Sequence, residues 1–436
     1  MKVIEGFENA KPYFTRTAKP LSYTLADTLK ASLQENFGLS DPEAVVKKIF
    51  DDVARKGDDA VSGYTRLLDR VELTSLEVSL KERKEAPGKL EPDVLEALNL
   101  ASQRVFSYHE KEKASFSGHS GLLVRPLERV GVYAPGGRAS YPSTVLMTAI
   151  PAKVAGVSEI ILATPPGRDG HVPPVILAAA ELAGVDRVFS IGGAQAIAAM
   201  ALGTSLVPKV DKICGPGNIF VMLAKKLAYG LVDIDGLEGP SEVIVIADDE
   251  ARADYCAWEL LAQSEHDPMA SSILITTSKA KVYAVLEEID KALVTLKRRE
   301  IIKESLDKNS LIAIVESLGR AFELANLYAP EHLCLLIKNP KDYLERVKNA
   351  GAVFIGEMAT VVFGDYVAGP SHALPTGGTA RFSSPLNVSD FIKFTSVVEV
   401  NKDDLGPLAE AARVIATAEG LEAHSRAITL RSEYGA

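Results

Sequence analysis

Arg187-Val188-Phe189-Ser190-Ile191-Gly192-Gly193-Ala194-Gln195 reads as a strand, a tight turn and the opening of a helix. A short apolar run stops at paired glycines and passes into an alanine-rich stretch. The same pattern recurs on both sides. Upstream, Val130-Gly131-Val132-Tyr133 leads through Ala134-Pro135-Gly136-Gly137 into a helix through Val145 and Ile150, where Pro151 predicts a kink. Glu159-Ile160-Ile161-Leu162-Ala163 is a strand, and Pro173 to Gly184 a helix with a glycine C-cap. Downstream, Lys212-Ile213-Cys214 leads through Gly215-Pro216-Gly217-Asn218 into a helix through Phe220 and Leu223. Repeated strand-turn-helix units predict a parallel sheet with helices on both faces. Glycine turns that open helices suit pyrophosphate, because unpaired backbone N–H groups point outward there. None completes G-x-G-x-x-G, so a nucleotide crevice is expected without the usual fingerprint.

A second α/β block begins near Gly239. Glu242-Val243-Ile244-Val245-Ile246-Ala247 is its first strand, Asp248-Asp249 a helix cap, and Ser272-Ile273-Leu274-Ile275-Thr276 the next strand. Helices near 278–296 and 318–328 flank Leu311 to Val315, and Leu333 to Ile337 and Ala352 to Ile355 complete the sheet. Between those first strands, a helix ends at Gln263-Ser264-Glu265-His266-Asp267-Pro268. Gln263 and His266, three residues apart, share one face, and the proline stops the helix. Phe363 to Pro385, rich in Gly, Ser, Thr and Pro, is too long for a plain connector and is a functional-loop candidate. A strand at Ser396 to Val400 and helices near 404–418 and 420–431 form the tail.

Before about residue 120 the chain reads as mostly helical. Ser40-Asp41-Pro42 is a helix start, with Val45, Val46, Ile49, Phe50 and Val53 on one face. His109 and His119, among charged and small residues, read as solvated, and His171 as part of a surface loop.

Among 436 residues, 47% are hydrophobic and 24% charged, as in a soluble globular protein of two or three domains. The formal charge of −10 argues against nucleic acid or an anionic membrane as partner. The chain shows neither an export signal nor 18 uninterrupted apolar residues. Cys214, Cys256 and Cys334 offer no disulfide framework. A cytoplasmic location is expected. Cys334 reads as core filler, and Cys214 as a buried thiol rather than a nucleophile.

His266, His332, His372 and His424 all fall in the later part of the chain. Glu331-His332 heads a strand; at the strand mouth, carboxylate and imidazole can form an acid/base pair. Asp365 and His372 lie in the polar loop, and His424 on the last helix with Glu419 before it. Two histidines, an aspartate and a glutamine amide suit a divalent cation such as Zn²⁺, which one anionic ligand would leave Lewis-acidic.

Gln263-Ser264-Glu265-His266-Asp267-Pro268, Ala329-Pro330-Glu331-His332-Leu333, Gly364-Asp365-Tyr366, Ser371-His372-Ala373-Leu374-Pro375-Thr376-Gly377-Gly378 and Glu419-Gly420-Leu421-Glu422-Ala423-His424 together resemble the histidinol dehydrogenase family. The three glycine turns match in order, and the similarity runs from about residue 40 to the end. The resemblance implies oxidation of L-histidinol to L-histidine in two NAD-dependent steps through the aldehyde. It implies Gln263, His266, Asp365 and His424 as ligands of one Zn²⁺ per subunit, and Glu331 and His332 as the acid/base pair. Ser241, His372 and Glu419 would join His332 and the zinc ligands in binding substrate, and Tyr133, Gln195 and Asn218 would line the NAD⁺ site. It further implies a homodimer whose C-terminal tail crosses over, so that His424 completes the partner's site.

The expected fold is α/β, with two Rossmann-like α/β/α domains, parallel-type sheets, a mainly helical N-terminal region and a dimer-crossing helical tail. Its expected divisions are an N-terminal arm (1–30), a helical region packing on the second α/β domain (31–128), a Rossmann-like NAD-binding domain (129–238), a second α/β domain with zinc and the catalytic residues (239–384), and the tail (385–436). The closest rival is another zinc- and NAD-dependent alcohol dehydrogenase on this scaffold, acting on a small polyol or sulfonated diol. His372 and the Glu419/His424 pair favour histidinol over it. A solute-binding protein would have little need for the acid/base pair, and a zinc hydrolase no use for the glycine turns.

Overall fold

Five parallel strands form the first sheet, in the spatial order Arg187–Ser190, Glu159–Thr164, Arg129–Tyr133, Lys212–Cys214, Asp233–Ile234. The chain starts in the middle, winds outward to one edge, then returns to build the other. That reversal leaves a crevice beyond the carboxyl ends of Arg129–Tyr133 and Lys212–Cys214, where open α/β sheets bind ligands. All but the short edge strand Asp233–Ile234 are buried on both faces, which is why they read as largely apolar runs. The computed structural model describes residues 1–16, 27–116, 122–136 and 140–435.

The second sheet has six parallel strands, in the order Lys2–Glu5, Leu311–Ile314, Ser271–Thr276, Glu242–Ala247, His332–Leu336, Ala352–Ile355. Apart from its first member it repeats the winding of the first sheet, with the reversal between Glu242–Ala247 and His332–Leu336. His332 pairs in register with Val243 on one side and Ala352 on the other.

Several expectations need correcting. The N-terminal arm is not separate: Lys2–Glu5 is an edge strand of the second sheet, and Phe7, Ala10 and Phe14 of the helix Phe7–Phe14 pack into the same core as Phe322 and Leu335. The helical region packs on the first α/β block rather than the second. Val45, Ile49 and Val53 of the helix Pro42–Lys56 share a core with Ile161, Ile197 and Val221, and Val105 of Pro92–Ala114 packs with Val145 and Ile176. An amphipathic pattern specifies an apolar face but not the surface it meets. Asp41 does cap its helix, accepting from the Glu43 and Ala44 N–H groups.

Asp248 caps no helix; it accepts from the Glu250 and Ala251 N–H groups in a turn, and the helix begins at Ala253. His109 is fully buried; its Nδ1 lies 2.7 Å from Glu112 Oε2, a partner one helical turn away, while its Nε2 has no hydrogen-bond partner among the described residues. His119 and Gly137 lie outside the described residues. The polar loop is not all surface, since Ser371, Leu374 and Thr376 are buried. The last strand is Ile392–Ser396, paired with Leu122–Pro126, instead of Ser396 to Val400.

A separate compact unit, Ser117–Arg125 with Lys393–Ala436, carries the helices Lys402–Ala418 and Glu422–Gly435. Among the described residues no helix is long and apolar enough to cross a membrane.

Candidate active site

Glu331 and His332 stand at the amino end of their strand, both nearly sealed from solvent. One residue organises them. The Glu242 N–H donates to Glu331 Oε2 at 2.8 Å, and the Glu242 carbonyl accepts from His332 Nδ1 at 3.0 Å. A carbonyl can only accept, so Nδ1 carries the proton and Nε2 keeps its lone pair. That lone pair faces Asp365, whose Oδ1 is 4.0 Å away. Burial, reinforced by the neighbouring His266 and His372, holds the His332 imidazole down at about 4, so it is neutral across the physiological range. Burial pushes the Glu331 carboxyl well above the usual carboxylate range, the nearby acids Glu242, Asp365 and Glu238 adding to it. Its Oε2 is 3.5 Å from His332 Nδ1.

Asp365 ends the short helix Val361–Tyr366, its carboxyl raised to about 7 by burial and by the charge of Glu259. Its carbonyl accepts from His372 Nδ1 at 2.8 Å, and His372 Nε2 lies 3.3 Å from the Thr144 hydroxyl on the helix Pro142–Ala155 of the first block. The Ser371 hydroxyl donates to the Met147 carbonyl of that helix at 2.9 Å. The loop thus ties the two sheets together and sets His372 between them. Gln263 is buried in the last turn of Ala253–Ser264, and His266 just beyond it opens to solvent. Neither side chain has a hydrogen-bond partner among the described residues, so amide and imidazole are both free to bind. Ser241 is half-buried directly before the organising Glu242.

Tyr133, Gln195 and Asn218 come together around a cleft of about 750 Å³ at the reversal of the first sheet. The Gly193 N–H donates to the Tyr133 hydroxyl at 3.0 Å, and Asn218 caps the helix Ile219–Ala228. Gly215 has φ +119°, and a Cβ there would collide with the Tyr133 carbonyl, so only glycine fits this turn. Lys225, fully buried, clamps it: its Nζ donates to the Gly215 carbonyl and pairs with Asp235 and Glu238 at 2.5 and 2.7 Å. Glu419 and His424 belong to the separate unit and are exposed. Among the described residues no three His, Cys, Asp or Glu side chains are gathered as a metal site.

A family model described as histidinol dehydrogenase matches residues 34–432. The chain belongs to the histidinol dehydrogenase family. The histidinol dehydrogenase of Dehalococcoides mccartyi (strain CBDB1) is 53% identical over 438 residues, covering 99% of this chain and 100% of that protein. That of Deinococcus radiodurans is 46% identical over 440 residues, again covering 99% and 100%. The crystal structure of histidinol dehydrogenase from Elizabethkingia anophelis superposes with a TM-score of 0.90 at 34% identity, covering 100% of this chain and 98% of that one. As a member of the histidinol dehydrogenase family, the chain is an oxidoreductase acting at the final step of histidine biosynthesis.

Within this histidinol dehydrogenase fold, sequence reasoning missed Glu242 and Arg16. Glu242 was absorbed into an apolar strand, although a carboxylate heading such a run is itself a signal. Its side chain pairs with Arg16 at 2.6 Å, and Arg16 lies over the Tyr328 ring and donates to the Tyr328 carbonyl. The arm that carried no motif therefore braces the back of the acid/base pair.

Proposed function

We propose that the chain oxidises L-histidinol through L-histidinaldehyde to L-histidine in two NAD-linked steps, with one zinc ion per subunit. The observation that carries this reading is the dry strand mouth in which a neutral His332, its Nε2 unprotonated, stands beside Glu331. The available donors suit zinc: a buried amide at Gln263, the imidazole of His266 and the carboxyl of Asp365, with one anion among them. His424 of the partner subunit would be the fourth ligand, in a homodimer with shared sites. Zinc would supply Lewis acidity and a hold on the substrate's imidazole and amine, and NAD⁺ would supply the hydride acceptor.

The chain's own residues do the proton work. His332 Nε2 accepts the proton of the alcohol as its carbinol hydrogen departs. Once His332 has released the alcohol's proton to solvent, Glu331, made more basic by burial, draws the proton from a water adding to the aldehyde, and His332 takes the proton of the resulting hydrate. Ser241, His372 and Glu419 position the substrate, and Tyr133, Gln195 and Asn218 hold the cofactor. No thioester is needed, and burial pushes all three thiols up, Cys256 to about 12. Residues 129–238 would serve the cofactor, 239–384 the metal and acid/base pair, and 385–436 the partner's site. Unpaired thiols suit a reducing cytoplasm.

The test is NADH formation from L-histidinol with and without chelator, together with metal analysis. Turnover that chelation abolishes is expected; zinc-loaded protein that forms no NADH from histidinol overturns the reading. His424→Ala should lose metal. Mixed dimers of His424→Ala with His332→Ala should regain activity, because one of their two shared sites is then intact; mixtures as inactive as either parent would refute the crossover.

A further inference from the structure

Two oxygen acceptors in the cofactor cleft have no donor among the described residues. Asp69 follows the helix Asp58–Leu68, and its Oδ2 is buried without a hydrogen-bond partner among the described residues. Gln195 Oε1, from the first turn of the helix Gly193–Leu202, is in the same condition. Both residues line the one cleft of about 750 Å³, with Tyr133 and Asn218. A buried acceptor left without a donor costs free energy, and folding gains nothing from it here. The amide of Gln195 could be turned over, but a carboxylate is an acceptor on both oxygens. Burial alone drives the Asp69 carboxyl up to about 6, so no cation answers it from the described residues. A ligand entering the cleft can supply those donors.

The lining fixes which part of a dinucleotide that is. The same cleft is lined by Leu33, Phe37 and Ile49, apolar side chains suited to a flat purine. The nicotinamide end has to meet the His332 pair, and neither His332 nor Glu331 lines this cleft. A ribose beside the purine presents two hydroxyl donors, which answers the chemistry of a lone carboxylate. A 2′-phosphate presents acceptors and negative charge, which the Asp69 carboxylate disfavours even with Arg168 elsewhere in the lining.

We propose that Asp69 receives the hydroxyls of the adenosine ribose and makes the cleft selective for NAD⁺ over NADP⁺. The proposal rests on the reading of the cleft as the cofactor site. It assigns the selecting acid to a helix of the N-terminal region, outside the strand-turn-helix unit where such an acid normally follows the glycine turn by about 20 residues.

The experiment titrates full-length wild type, Asp69→Asn and Asp69→Glu with NAD⁺ and with NADP⁺ by calorimetry. Thermal unfolding confirms that each variant is folded. Wild type should bind NAD⁺ and discriminate strongly against NADP⁺. Asp69→Asn should weaken NAD⁺ by about tenfold or more, the worth of one charge-assisted hydrogen bond, and narrow the ratio of the two affinities by at least as much. Asp69→Glu keeps the charge and should still reject NADP⁺. A purely structural role would weaken both cofactors together and leave their ratio alone. An unchanged ratio in Asp69→Asn therefore overturns the proposal while leaving the cofactor site standing. Wild type that binds neither cofactor overturns the site itself, and the proposal with it.

Discussion

The two sheets are wound alike and used at opposite ends. In the first, the working residues lie beyond the carboxyl ends of the strands, where Tyr133, the Gly193 turn and the Gly215 turn face the cleft. In the second, Ser241, Glu242, Glu331 and His332 stand at the amino ends, and Gln263 and His266 just ahead of the strand Ser271–Thr276. The first edge offers backbone N–H groups and small residues, which suit a phosphate. The second gathers buried imidazoles and carboxyls whose proton affinities are displaced from their ordinary values. One winding thus presents backbone groups at one end of its strands and titratable side chains at the other, and on the proposed function the first holds and the second transfers protons.

The largest break in that comparison should come from His332→Ala. Losing the proton acceptor is expected to cost about 10²- to 10⁴-fold in kcat. Zinc content and the unfolding midpoint should stay near wild type, since among the described residues the ring's one hydrogen bond is to the Glu242 carbonyl. Loss of zinc together with activity would move His332 from acid/base work into metal binding. In the first sheet the counterpart is Lys225→Met. It leaves Asp235 and Glu238 buried without their cation, and should cost about 3–5 kcal/mol in urea denaturation. A cost below about 1 kcal/mol would show that the clamp on the glycine turn is dispensable. Arg16→Met is expected to do less, about 1–3 kcal/mol in stability, with a fall in kcat at saturating substrates as Glu242 loosens behind the pair. Unchanged kcat would confine Arg16 to a structural role.

Much of this was legible before any coordinates. Parallel strands buried on both faces announce themselves as apolar runs, and both sheets were read that way. The motifs around Gln263, Glu331 and Asp365 were also legible as separate fragments. What the sequence could not show was pairing over distance. Lys2–Glu5 is a strand only because Leu311–Ile314 accepts it, more than 300 residues away. His109 looked solvated because its neighbours are charged, yet it is buried, with one of those neighbours, Glu112, bonded to its Nδ1. Glu242 acts through its backbone, which no side-chain motif reports. Asp69 sits in an ordinary helix end, and its isolation becomes visible only against the walls of the cleft.

Asp69 also gives the smallest test, set against a carboxylate of the same helical region. Asp52 is bonded to Lys48 and Tyr64, which hold its carboxyl far below the usual range. It stabilises the fold above its ordinary value of 3.8 and loses that contribution as the pH falls toward its folded value. Asp69 runs the other way. Raised from 3.8 to about 6, it favours the fold fully below 3.8, and that contribution is lost as the pH rises through about 6. Asp69→Asn resembles the protonated acid at every pH. The variant should therefore match wild type near pH 4 and exceed it above pH 6 by about 1 kcal/mol, allowing for solvent screening of a partly open group. Urea denaturation of both proteins across that window measures the difference directly and cancels every other titrating group. Saturating NAD⁺ should reverse the order at pH 7, because wild type alone recovers the carboxylate's missing donors. A difference that is flat with pH would mean Asp69 already has a partner, and would remove the contrast between an acid placed for the fold and one placed for a ligand.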